Sequence, residues 1–201
     1  MIFNRNQLKI LKETRKFVRK YMDELEDISH DYSHINLVVK YASKIAKMEG
    51  IINRRSLFHI RMGALLHDIG DHKYTNENQV KVLRRFLNNF GNLRRYDKDE
   101  IIKIASNVSL SKEDGRNGVN KKLDIVKDAD RINSLGAIGI MRYVSYNINN
   151  SRKPSFKEII GNMRERTRRI KMNLKTRGGR EMSKKHFRLI SLFINNYRHF
   201  S

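Results

Sequence analysis

A single proline, Pro154, stands in the whole chain of 201 residues. Proline lacks a backbone N–H and breaks helices, so long helices meet almost no obstacle in this sequence. Apolar residues recur at intervals of three and four, and no segment keeps the period of two that is typical of strands. The sequence therefore predicts an all-α fold. About eight helices are expected, with ends accurate to about two to four residues, in the ranges 5–28, 34–48, 54–68, 78–90, 98–109, 121–146, 155–174 and 182–198.

Segments rich in Gly, Asn, Asp and Ser separate these ranges, as expected for turns. One of them, Arg177-Gly178-Gly179-Arg180, is predicted to be the turn before the last helix.

The third predicted helix is apolar toward its end and then runs into ionisable residues. His67 and Asp68 follow Ala64-Leu65-Leu66 directly, and Asp71 comes just after Gly70, where the helix is expected to stop. Burying unpaired ionisable groups is costly unless a partner, often a metal ion, compensates. We therefore interpret His67 and Asp68 as candidate metal ligands.

Two further candidates stand on other apolar helices. His34 lies one turn before Val38, on the edge of an apolar stripe, so it is expected to face inward. Asp128 and Asp130 both have apolar neighbours at helical spacing, and periodicity alone does not choose between them. A lone histidine is more often a plain core or surface residue, but the whole set is harder to explain in that way.

These residues carry a resemblance to a known family. The order His34, His67-Asp68, Asp130 resembles the motif of the HD-domain superfamily of metal-dependent phosphohydrolases. The chain is similar, over about residues 27–200, to a small bacterial-type branch with a single domain. The wider similarity lies in residues 30–35, 65–73, 102–109, 128–132 and 136–139.

The resemblance implies an HD-domain helical bundle in which Asp130 is the fourth metal ligand. Asp128 and His30 are then expected to contact the ligands and hold them in place without binding the cation themselves. The chain has no cysteine, so imidazoles and carboxylates are its strong metal-binding side chains. Two of each suit one divalent cation, Mn²⁺ first, with Mg²⁺, Co²⁺, Ni²⁺, Fe²⁺ and Zn²⁺ as alternatives.

Asp71 is the expected general base or water-orienting group, a role that an acidic residue fills at this position in related HD hydrolases. The alternative is a helix-end carboxylate bonded to Lys73 or to solvent. Lys73, Arg131 and, less strongly, Arg61 are candidate phosphate-binding residues because of their charge and their nearness in sequence to the motif.

The branch that the chain resembles points to a small phosphorylated substrate, a nucleotide. Pyrophosphohydrolysis of a nucleoside triphosphate or deoxynucleoside triphosphate is the first choice. Hydrolysis of a nucleoside monophosphate or a cyclic nucleotide is the alternative within enzymes. From a different class, the chain could be a non-catalytic, basic nucleic-acid-binding protein on an HD scaffold.

Charge is distributed unevenly along the chain. The net charge is +22, and residues 152–180 alone hold eleven Lys and Arg against two Glu. We expect one domain with an N-terminal basic helix in 1–26, a metal-site core in 27–150 and basic C-terminal helices in 151–201. No apolar run is long enough for a membrane span and the first residues do not look like a secretory signal, so we expect a cytoplasmic protein without a membrane partner.

The basic C-terminal stretch generates a prediction about partners. If it forms a polyanion-binding face, the protein should bind DNA or RNA without sequence preference, with affinity falling steeply between about 50 and 200 mM salt as counterions are released. Titration at several salt concentrations measures this, and replacing several of the residues by Gln should flatten the slope. No binding at low salt would leave the stretch a solvated helix face. The residues concerned are Arg164, Arg166, Arg168, Arg169 and Lys171.

Overall fold

The computed structural model describes residues 2–25, 31–71, 75–109, 120–148 and 154–198. Within these ranges the fold is all-α, as the sequence predicts, and contains nine helices and no strand. In chain order they are α1 (Arg5–Glu24), α2 (Tyr32–Met48), α3 (Arg54–Leu66), α4 (Gln79–Asn88), α5 (Arg95–Ala105), α6 (Lys121–Asn133), α7 (Gly136–Ile148), α8 (Phe156–Asn173) and α9 (Arg177–Arg198). Among the helices described, none combines the length and the apolar character that crossing a membrane requires.

The long helix predicted over 121–146 is in fact two helices. Gly136 has a φ of 70°, in the left-handed region that favours glycine, and this residue turns the chain between α6 and α7. A Cβ at Gly136 would also lie 2.7 Å from Nδ1 of His186. The apolar spacing continues across the break, which is why periodicity alone joins the two helices.

The turn predicted at 177–180 is also wrong, because these residues form the first turn of α9. The N–H groups of this turn and of the residues just before it, which have no partner within the helix, bind the carboxylates of Glu49 and Asp128. Gly178 N donates to Glu49 Oε1 at 2.7 Å, and Thr176 N donates to Asp128 Oδ2 at 2.7 Å. The helix N-terminus thus satisfies its free donors with acidic side chains.

The core has two apolar clusters. The larger cluster joins α1 to α6 around the buried helices α2, α3 and α6, with fully buried residues such as Val38, Leu65 and Val126. The smaller cluster begins at Leu135 and joins α7, α8 and α9. The two clusters are formed by consecutive parts of the chain, and the turn at Gly136 marks the start of the second part.

Asp128 links the two parts. Its fully buried carboxylate accepts hydrogen bonds from Lys175 N at 3.0 Å and from the hydroxyl of Thr176 at 2.7 Å, in addition to the Thr176 amide. Burial raises the pKa of Asp128, and these hydrogen bonds oppose that rise. Gly179 packs directly on this carboxylate, and a Cβ there would lie 2.8 Å from the Cβ of Asp128.

The contact between Gly179 and Asp128 makes a prediction about stability. Gly179→Ala should lower the free energy of unfolding by about 1 to 3 kcal/mol, because the added methyl group overpacks a site that cannot expand. Gly161 on α8 is the matched control, since a Cβ there meets nothing within 4 Å. Gly161→Ala should stabilise the protein by about 0.5 to 1 kcal/mol through helix propensity. Equal changes in the free energy of unfolding for Gly179→Ala and Gly161→Ala, measured by urea denaturation, would contradict the tight packing of Gly179 on Asp128.

Candidate metal centre

Three helices bring four ionisable side chains together in the core. His34 lies in the first turn of α2, His67 and Asp68 directly follow α3, and Asp130 lies in α6. His34, His67 and Asp68 are buried, whereas the side chain of Asp130 is 23% exposed. The four residues that the sequence singles out as ligands are thus neighbours, with Asp130 as the open side of the group.

Each of the two imidazoles lies at similar distances from the other donor atoms. His34 Nε2 lies 3.3 Å from His67 Nε2, 3.3 Å from Asp68 Oδ2 and 3.5 Å from Asp130 Oδ1. His67 Nε2 lies 3.5 Å from Asp68 Oδ2 and 3.7 Å from Asp130 Oδ1. Ligands about 2.1 Å from one cation are separated by about 3.0 to 3.4 Å in octahedral or tetrahedral geometry. His34, His67 and Asp130 therefore have donor atoms close enough to one another to hold a single divalent cation, and Asp68 Oδ2 lies beside both histidines.

The loop after α3 is held so that His67 faces this cluster. Nδ1 of His67 lies 2.9 Å from the carbonyl oxygen of Ala64, which leaves Nε2 to bind a cation. Gln79 donates to the carbonyl oxygens of His67 at 2.8 Å and of Ile69 at 3.2 Å. Gly70, with a φ of 67°, turns the chain immediately afterwards. Gln79 has no signal in the sequence, because its partners are main-chain atoms.

Contacts to both the backbone and the imidazole ring position His34. Asp31 caps α2 by accepting from His34 N at 3.1 Å, which fixes the first turn. On the ring, Nδ1 lies 2.7 Å from Nδ2 of Asn133 and 2.6 Å from Nη1 of Arg142. Arg142 also donates to Asp31 at 3.1 Å. The sequence alone does not reveal Asn133 or Arg142, which lie about a hundred residues from His34 along the chain.

The electrostatics of the cluster favour a positive charge. Burial alone would lower the pKa of His67, but the neighbouring carboxylates of Asp68 and Asp130 raise it to about 9. Burial alone would raise the pKa of Asp130, but its interaction with His67 and the charge of His34 hold it below the usual value. A proton or a metal cation is the positive charge that this environment stabilises.

The remaining predicted site residues are placed differently. Asp128 points to the start of α9, and Arg131 is buried against it at 3.6 Å and donates to the carbonyl oxygen of Asn173. Arg61 contacts Ser43 and the ring of Phe3. These contacts argue against phosphate binding by Arg131 and Arg61, and they give Asp128 a role in joining helices.

Asp71 is buried on the turn that follows Asp68. Its amide donates to Asp68 O at 3.3 Å, so the backbone keeps a tight turn after α3 has ended at Leu66. Its role as general base stays a prediction. The phosphate-binding candidate Lys73 and the supporting candidate His30 lie outside the described residues.

The basic residues of α8 point in two directions. Arg164, Arg168, Arg169 and Lys171 are exposed, as a polyanion-binding face requires. Arg166 is half-buried and turns inward, where its guanidinium lies over the ring of Tyr143, 5.6 Å from the centroid. Arg166 is therefore not part of the exposed face.

Comparison with known proteins identifies relatives of this fold and site. A sequence model of the HD domain matches residues 31–135. The uncharacterized protein L803 of Acanthamoeba polyphaga mimivirus is 33% identical over 146 residues, which cover 66% of this chain and 59% of that protein. The uncharacterized protein YpgQ of Bacillus subtilis is 29% identical over 142 residues, which cover 68% of this chain and 65% of that protein. The chain spans less than two thirds of the length of either relative.

Two solved structures share the fold. The structure of Bacillus subtilis YpgQ in complex with ADP superposes with a TM-score of 0.74 at 22% identity and covers 94% of this chain and 96% of that one. An HD-superfamily hydrolase from Bacillus thuringiensis superposes with a TM-score of 0.72 at 25% identity and covers 96% of each chain. The likeness therefore extends well beyond the residues matched by the HD-domain model.

Removal of single ligands makes a prediction about metal binding. His67→Ala and Asp68→Ala should each abolish Mn²⁺ retention and keep the helical content, because each removes a donor from the cluster. His59→Ala is the matched control: His59 is also buried on α3, but its Nε2 lies 2.7 Å from Asp97. That variant should lose stability and keep Mn²⁺. Stoichiometric Mn²⁺ binding by the His67 and Asp68 variants in calorimetry would refute the ligand assignment.

Proposed function

The chain belongs to the HD-domain family of metal-dependent phosphohydrolases, and we propose that it is a nucleoside triphosphate pyrophosphohydrolase, with deoxynucleotides among its substrates. One divalent cation, Mn²⁺ by preference, would be held by His34, His67, Asp68 and Asp130. The reaction adds water across the bond between the α- and β-phosphates and yields a nucleoside monophosphate and pyrophosphate. This assignment rests on the mixed nitrogen and oxygen ligand set and on its open side at Asp130.

The ligand set decides the class of chemistry. When bound, a divalent cation at such a site lowers the pKa of water and polarises a phosphoryl group. Four protein ligands leave room on a six-coordinate ion for water and substrate. The partial exposure of Asp130 gives a phosphate group access to the site.

Asp71 is the residue that we assign to the proton of the attacking water. It follows His67 and Asp68 on the same tight turn and is buried, so it is the next acidic side chain after the two central ligands. A carboxylate in this position accepts the proton as the new bond to phosphorus forms and the bond to the pyrophosphate oxygen breaks.

Support for a nucleotide substrate comes from a protein of the same fold, since YpgQ was crystallised with ADP. A nucleoside monophosphate or cyclic-nucleotide hydrolase would use the same cation and differ in the bond that it breaks. A non-catalytic nucleic-acid-binding protein would need neither Asp71 nor an open side to the cluster. The products formed therefore separate the three functions.

The direct test is a screen for phosphate and pyrophosphate release over a panel of nucleotides with Mn²⁺. Our proposal predicts pyrophosphate from triphosphates and no release of phosphate from monophosphates. Phosphate release from monophosphates, or ring opening of cyclic nucleotides, would support the alternative hydrolases. No turnover of any nucleotide by protein that retains Mn²⁺ would contradict both.

Asp71 provides a prediction about rate. Asp71→Asn should keep Mn²⁺ and lose about 10²-fold or more in kcat, which is the usual worth of a positioned acid–base group. Asp99→Asn is the control, because Asp99 is an exposed carboxylate on α5 that pairs with Arg84 at 2.8 Å. Steady-state kinetics should show normal turnover for the control. Turnover of Asp71→Asn equal to that of Asp99→Asn would make Asp71 structural.

A further inference from the structure

Two arginines reach the metal centre from helices that contribute no ligand. Arg142 on α7 places Nη1 2.6 Å from His34 Nδ1. Arg166 on α8 places Nη1 3.4 Å from the carbonyl oxygen of Ser134, which caps the end of α6 one turn after Asp130. Tyr143, the neighbour of Arg142, packs its ring against the guanidinium of Arg166. Arg142 thus contacts one candidate ligand, and Arg166 contacts the helix end that carries another.

Arg166 has far more donors than partners. A guanidinium carries five N–H donors. Among the described residues, the one acceptor of Arg166 is the carbonyl oxygen of Ser134, at the long distance of 3.4 Å, and no carboxylate lies within ion-pair distance. By contrast Arg168, two residues further along on the exposed face of α8, makes two bonds to Glu165. A half-buried guanidinium without an acidic partner is suited to an anion that arrives from outside.

Binding of a cation by His34 would remove one hydrogen-bond acceptor of Arg142, the ring atom Nδ1. If Nε2 of His34 binds a cation, the ring proton lies on Nδ1, which then donates and no longer accepts. Asn133 can present its oxygen to this N–H after rotation of its amide, but arginine has no acceptor. Arg142 must therefore turn away from Nδ1. Its remaining described partner is Asp31, whose side chain is 51% exposed.

We infer that Arg142 and Arg166 bind the β- and γ-phosphates of the nucleotide, and so select triphosphates and stabilise the departing pyrophosphate. This inference rests on the proposed function and extends it by naming the residues that recognise the substrate. Planar guanidinium groups match phosphate oxygens with paired hydrogen bonds. Arg142 lies against His34 and Arg166 against the end of α6 that carries Asp130, so both are placed around the cluster without belonging to it.

The test uses inorganic tripolyphosphate as the probe and isothermal titration calorimetry as the measurement, with the same free Mn²⁺ in cell and syringe. Arg142→Gln and Arg166→Gln should each weaken tripolyphosphate binding about tenfold or more, because each removes charge-assisted hydrogen bonds. Neither should weaken binding of Mn²⁺ alone. Arg164→Gln is the matched control, because Arg164 is an exposed cation on the same helix as Arg166. It should leave the tripolyphosphate affinity within about twofold, the effect of a screened surface charge.

If all three variants lose the same amount of affinity for tripolyphosphate, the loss reflects net charge alone and the inference is overturned. Unchanged affinity in the Arg142 and Arg166 variants would overturn it as well. Loss of Mn²⁺ binding in either variant would show a structural role and overturn it too. If Arg166→Gln does not fold, as judged by circular dichroism, Arg166→Lys replaces it and should show a smaller loss, because lysine keeps the charge without the paired donors. Tripolyphosphate binding needs no turnover, so failure of the hydrolase proposal would be seen separately, as binding without hydrolysis.

Discussion

Two carboxylates and two imidazoles share a small volume between α2, α3 and α6. Oxygens of Asp68 and Asp130 both lie within 3.7 Å of the same imidazole nitrogens, and most of the group is buried. Such a concentration of negative charge in the core is costly without a compensating cation. The raised pKa of His67 shows the same demand, since a proton on its ring supplies part of the missing positive charge. In the metal site that we propose, a divalent cation would supply the positive charge that these side chains require.

Two of the three aspartates in α6 face opposite parts of the structure. Asp130 faces the ligand cluster, whereas Asp128, two residues earlier, faces the start of α9. Residues two apart point to nearly opposite sides of a helix, which is why one can bind a metal while the other fastens a second group of helices. Asp128 thereby fixes α9, against which α7 and α8 pack. Those two helices then hold Arg142 and Arg166 beside the metal ligands.

Local signals in the sequence predict much of this arrangement. The helical spacing of apolar residues gives the fold class, and the apolar helix that ends in His67 and Asp68 draws attention to the centre of the site. The break at Gly136 escapes prediction because the apolar spacing runs through it, and the start of α9 escapes because Gly178-Gly179 is typical of turns. Asn133, Arg142 and Arg166 escape for a different reason: tertiary packing of α6, α7 and α8 brings them to the site, and no local pattern records that packing.

Anomalous diffraction from crystals grown with Mn²⁺ tests the central claim most directly, because it locates the ion without reference to activity. One peak is expected inside the cluster, about 2.0 to 2.3 Å from His34 Nε2, His67 Nε2, Asp68 Oδ2 and Asp130 Oδ1. A peak elsewhere in the protein, or an ion bound without the two histidine nitrogens, would contradict the account.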